Sequence, residues 1–119
     1  MKKILIILIF FSFFIIAFCS INKNNDNKQK AIYAAKEYLK ITSYSKKGLI
    51  DQLIHDGFNS TDSLYAVNNC NANWYDEAKR SAKTYLKIID YNKEELIMQL
   101  EFEGFTHDEA IYGANQNGL

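Results

Sequence analysis

The stretch AIYAAKEYLKI, Ala31 to Ile41, returns 47 residues later as AKRSAKTYLKI, Ala78 to Ile88. The match continues without a gap. Tyr44 and Lys46 fall on Tyr91 and Lys93, and Leu49, Ile50, Gln52 and Leu53 on Leu96, Ile97, Gln99 and Leu100. Gly57 and Phe58 fall on Gly104 and Phe105, then Tyr65 and Asn68 on Tyr112 and Asn115. From 31 to 70, 17 of the 40 aligned positions are identical. A repeat of this period is the signature of stacked helical units, so the repeat decides the fold.

Each copy reads as three short helices. The first spans about 29–41, where Ala31, Ala34, Ala35, Tyr38, Leu39 and Thr42 recur at helical spacing with lysines opposite. Its partner spans about 74–89, with Asn73 as N-cap and Asp76 and Glu77 in the first turn. Ser45 and Asn92 are matched N-caps for the second helix, and Asn92 has Glu95 three residues on. Leu49, Ile50 and Leu53, and equally Leu96, Ile97 and Leu100, form its apolar face. Gly57 and Gly104 stand where a helix ends in the left-handed conformation, each followed by a phenylalanine. Asn59 with Asp62, and Thr106 with Glu109, cap the third helix; the second pair is a full capping box. Leu64, Tyr65 and Val67 are its expected buried side, matched by Ile111, Tyr112 and Ala114. A unit of this size is near the lower limit for folding alone, so the two copies are expected to pack together. The fold class is all-α: two tandem three-helix, helix-turn-helix-like repeats, 29–72 and 73–119.

Composition narrows the function. Fourteen basic and fourteen acidic residues give zero net charge, unlike a dedicated nucleic-acid binder. The 48% hydrophobic content is globular, and the absence of proline with only five glycines disfavours a sandwich of many short strands. Two cysteines and two histidines make neither a disulfide framework nor a four-cysteine zinc site. His55 and His107 stand at non-equivalent repeat positions, opposite Phe102 and Ser60, and no glycine-rich phosphate loop is present. No catalytic residue, metal, cofactor or small-molecule substrate is expected.

The first residues are expected to lie outside the fold. Lys2 and Lys3 precede an apolar run from Ile4 to Phe18, the plan of an export signal. Three outcomes stay open for residues 1–19: lipidation at Cys19, an uncleaved N-terminal anchor, or ordinary cleavage. All three place the remainder outside the cytoplasm. Residues 20–28 are polar and read as a tether. If Cys19 is lipidated, Cys70 is a lone thiol, most simply buried.

Two features could meet a partner. Glu101, Glu103, Asp108 and Glu109 cluster around the Gly104–Phe105 turn, either as solvated and capping charges or as an acidic patch that steers a basic segment of another protein. Trp74 and Tyr75 have no repeat counterpart, since Asn27 and Lys28 stand there. They fall at the joint, where Trp74 either packs between repeats or serves as an exposed aromatic anchor.

Several segments carry a family likeness: Ala-Lys-x-Tyr-Leu-Lys from Ala35, the run Tyr44 to Leu53, the Gly57-Phe58 pair and the ending Tyr65-Ala-Val-Asn68. Together they resemble the Ltp-type helix-turn-helix repeat of host-cell-surface lipoproteins of bacteria and their temperate phages. The resemblance covers about residues 29–117 as two copies. Ile16, Ala17 and Cys19 are similar to the end of a lipoprotein signal, although Phe18 replaces the usual small residue. Glu94-Glu95 also stands in place of Lys47-Gly48. The resemblance implies a lipid-anchored surface protein that binds a protein partner, the phage tape-measure protein, and blocks DNA entry in superinfection exclusion. A general envelope-binding module with no phage role is the alternative. DNA binding is disfavoured, because the helices after the glycine turns offer Asp62, Asp108 and Glu109 to the phosphates.

Overall fold

The computed structural model describes residues 25–119. The expected signal segment, its end at Cys19 and residues 20–24 of the tether lie outside the described residues. Six helices follow: α1 (Asn25–Ile41), α2 (Lys46–His55), α3 (Ser60–Asn68), α4 (Trp74–Ile88), α5 (Lys93–Phe102) and α6 (His107–Gln116). No strand occurs among the described residues. The two repeats are therefore α1–α3 and α4–α6. Together they extend over 50 × 23 × 20 Å.

Local chemistry sets the boundaries. The Asn59 side chain accepts the Asp62 amide at 2.7 Å. Asn92 with Glu95 and Thr106 with Glu109 close reciprocal capping boxes. Each satisfies backbone donors that the first turn leaves unpaired. Gly57 and Gly104 both adopt φ +103°, which a side chain resists. Phe58 and Phe105 then return their amides to the carbonyls of Leu53 and Leu100, each at 3.1 Å.

One boundary departs from the expectation. Helix α1 begins at Asn25, so Asn25 to Lys28 are helix and not tether. Asp26 sits in the first turn and pairs with Lys30 at 2.7 Å, one turn on. This polar turn is held by that pair and by the Lys28 ammonium over the Tyr65 ring of α3.

Each repeat has its own core. Ala31, Ala35, Tyr38, Leu49, Leu53, Ala66 and Val67 close the first; Ala78, Ala82, Tyr91, Leu96, Leu100, Phe105, Ala110 and Ala114 close the second. The closest helix pairs are α1 with α3 and α4 with α6, which explains the small residues on them. At Gly113 an added Cβ would stand 2.7 Å from the Ala78 carbonyl oxygen. Only small side chains fit so near a neighbouring backbone. This corrects the expected buried side of the third helix. Helix α3 buries Asp62, Ser63, Ala66 and Val67, whereas Leu64 and Tyr65 turn to solvent. Helix α6 likewise buries Ala110, Gly113 and Ala114 and leaves Ile111 and Tyr112 half-buried.

The two cores are separate, and Trp74 at the start of α4 packs against the first one. Beside that apolar contact the repeats meet along a polar seam. Arg80 donates to the Leu39 carbonyl from both terminal nitrogens, at 3.1 and 3.2 Å, and so serves as the C-terminal cation of the preceding repeat's first helix. Ser43 and Ser81 hydroxyls lie 2.7 Å apart. The Tyr44 amide donates to Glu77, which is buried and also pairs with Arg80 at 2.8 Å. Burial pushes the Glu77 carboxyl up, and Arg80 pulls it back down. Ser45 has two tasks: its oxygen accepts the Gly48 amide at 2.9 Å, and its hydroxyl donates to the Glu103 carbonyl at 2.5 Å.

Candidate partner-binding surface

The α5–α6 turn carries the four carboxylates singled out from the sequence. Their environments differ. The Glu101 carboxylate bonds to Nδ1 of His107, which bridges the end of α5 to the start of α6. Glu109 receives the Thr106 amide at 2.9 Å and is committed to the capping box. Glu103 meets the seam through its backbone carbonyl, and burial raises its half-buried carboxyl to about 7. Asp108 is exposed in the first turn of α6. The accessible acidic groups at the turn are therefore Glu101 and Asp108. The first repeat shows why Glu103 differs. Asp56 occupies the same repeat position, and there Tyr38 donates to it at 2.5 Å and Gln52 at 3.0 Å. In the second repeat Gln99 still reaches the Tyr85 hydroxyl, at 3.4 Å, but no such donor serves Glu103.

Beside this turn the structure adds what sequence reasoning missed. Met98 and Phe102 are 63% and 67% exposed, one turn apart on the outer face of α5. Glu94 and Glu101 share that exposed face. The first repeat places Lys47, Asp51 and His55 at the positions of Glu94, Met98 and Phe102. There Lys47 and Asp51 form an ordinary surface ion pair at 2.7 Å. The repeats thus share a fold and differ on this face. The signal lay in the repeat alignment itself, at the positions where an exposed polar residue becomes a large apolar one.

Trp74, the first residue of α4, is half-buried and packs against the core of the first repeat. Tyr75 is 45% exposed and meets the Tyr112 ring edge-on, 5.4 Å between centroids. Of the other repeat-matched tyrosines, Tyr38 meets Tyr44 and Tyr85 meets Tyr91 edge-on at the cores, whereas Tyr65 lies beneath the Lys28 ammonium. Cys70 is buried, donates to the Val67 carbonyl at 3.3 Å, and has its thiol pushed up by burial. A cleft of about 440 Å³ opens at the joint, with Lys36 and Lys40 on one lip and Asp76 and Glu77 on the other. Among the described residues no group of three or more His, Cys, Asp or Glu could hold a metal. No described helix is long and apolar enough to cross a membrane.

Known proteins resemble this arrangement. The profile of the family described as host cell surface-exposed lipoprotein matches residues 26–70 and again 73–116. The solved structure of Ltp, a superinfection exclusion protein from the Streptococcus thermophilus temperate phage TP-J34, is similar at a TM-score of 0.72 and 28% identity. The match covers 81% of this chain and 97% of that one. No protein with a curated description matches.

Proposed function

This chain belongs to the family of host cell surface-exposed lipoproteins, and from that premise we propose that it acts outside the cell membrane in superinfection exclusion. The observation that carries the proposal is the two-repeat fold shared over 97% of a phage exclusion protein. The N-terminal segment anchors the chain, with Cys19 as the lipid-bearing residue. The folded repeats bind a protein of the incoming phage, the tape-measure protein, and DNA entry is blocked while adsorption proceeds.

The exposed face of α5 and the turn after it suit that role. Glu94, Glu101 and Asp108 attract basic side chains, and Met98 and Phe102 offer apolar area for an anchor contact. Large exposed apolar side chains ringed by charge are a common form of protein-binding site. Catalysis has no part in this mechanism. The test is a set of displayed variants, Glu101→Gln with Asp108→Asn, and Phe102→Ala. Each should reach the surface at the normal level and lose protection against DNA entry. Full protection by all of them would contradict the assignment of this face.

A further inference from the structure

The second repeat separates most of its charges along the chain, although α4 opens with Asp76 and Glu77 and α5 with Lys93. From Lys79 to Lys87 there are four basic residues and no acidic one; from Glu94 to Leu119 there are six acidic and no basic. Arg80 is committed to the seam. Lys79, Lys83 and Lys87 follow each other at successive turns of α4, all exposed, on the side away from the buried Ala78, Ser81 and Ala82. Among the described residues none of the three makes an ion pair, whereas Lys30, Lys40 and Lys47 each pair with a carboxylate on their own helix. The first repeat lacks the feature. Its counterparts are Ile32, Lys36 and Lys40, and Lys40 is held by Glu37 at 2.5 Å.

We propose that the Lys79–Lys83–Lys87 face of α4 lies on the anionic lipid headgroups of the membrane to which the chain is anchored. The α5–α6 acidic face is thereby turned away from the bilayer. This rests on the anchored reading above. Five residues lie between Cys19 and Asn25, six steps and at most about 22 Å of chain. A body of 50 × 23 × 20 Å tethered within that reach of the membrane can bring α4 to the surface by lying down. Anionic headgroups favour each nearby lysine by about fivefold in partitioning, so three together give on the order of a hundredfold. That is too little to hold a free protein firmly and enough to orient a tethered one. The acidic face is repelled by the same surface, which sharpens the orientation.

The test uses the full chain with vesicles of phosphatidylcholine, alone or with one third phosphatidylglycerol. A photo-reactive phenylalanine analogue is placed at position 83 or, for comparison, at position 98. Crosslinking to lipid from 83 should exceed that from 98 about tenfold on the anionic vesicles. It should fall to parity on phosphatidylcholine, at 0.5 M salt, or with Lys79→Glu and Lys87→Glu. Equal yield from 83 on both vesicles, or a higher yield from 98, overturns the proposal. So does binding to poly(glycerol phosphate) with no gain on anionic vesicles, which assigns the face to a wall polymer. Flotation with phosphatidylcholine vesicles reads the anchor alone. A chain that fails there faults the anchor, whereas anionic-vesicle crosslinking that the charge variant abolishes still carries the lysine face.

Discussion

Gly57 and Gly104 make a controlled pair. Both occupy the same repeat position with φ +103°, so alanine meets the same backbone strain at each, about 1–2 kcal/mol. Their surroundings differ. A Cβ at Gly57 meets nothing within 4 Å, whereas at Gly104 it stands 2.9 Å from both Lys47 Cβ and Ser45 Oγ. Gly104→Ala must therefore push the seam apart and break the bond from Ser45 to the Glu103 carbonyl. That bond adds about 1 kcal/mol. Gly57→Ala should lower stability by about 1–2 kcal/mol, and Gly104→Ala by about 2–3 kcal/mol. Urea unfolding of the two variants reads the difference. Residual dipolar couplings read the angle between repeats, which should change only for Gly104→Ala. Equal losses with an unchanged angle would refute the claim that the seam is a packed, hydrogen-bonded contact.

Further outcomes follow from the same contrasts between repeats. Tyr38→Phe removes a hydrogen bond to a carboxylate and should destabilise by about 1.5–2 kcal/mol in denaturant titration, against under about 1 kcal/mol for Tyr85→Phe. Glu103 is raised from 4.5 to about 7 by burial, so its charged form is disfavoured in the fold. Its contribution is full below the ordinary carboxylate value and fades as pH rises through about 7. Glu103→Gln should therefore raise the melting temperature at pH 8 and leave it little changed at pH 4; the reverse order would contradict the burial argument. Phe102→Ala and Met98→Ala should leave the melting temperature within about 2 °C, because both side chains are exposed, while reducing exclusion in cells. Binding through the acidic face should weaken as salt is raised, and a flat titration against ionic strength would remove the charges from the mechanism.

What was legible in the sequence was whatever repeats. The 47-residue period, the capping pairs at Asn59, Asn92 and Thr106, and the glycine-phenylalanine turns set six helices in the right places. These are local devices, written in adjacent residues. The rotation of α3 was not legible, because Leu64 and Tyr65 offer more apolar area than Ser63 and Ala66. The deciding fact is that α1 lies too close for large side chains, and sequence hydropathy does not carry it. Packing between the repeats was expected from their small size, and Trp74 at the joint does pack against the first core. The polar part of the seam was not legible, because Arg80, Glu77, Ser43, Ser45 and Ser81 are indistinguishable in sequence from solvated residues. At the candidate surface the four carboxylates were visible as a cluster, but not that Glu109 caps and Glu103 turns inward. The exposure of Met98 and Phe102 was not legible, because apolar residues in a short helix carry no mark of the face they occupy.

The central claim is most directly tested by challenging cells that display the chain with temperate phages of the host, scoring adsorption and DNA entry separately. The account predicts normal adsorption with blocked entry, and loss of the block on Cys19→Ala. Unimpaired entry across those phages, with the chain shown to be on the surface, would contradict exclusion and leave an envelope-binding module without a phage role.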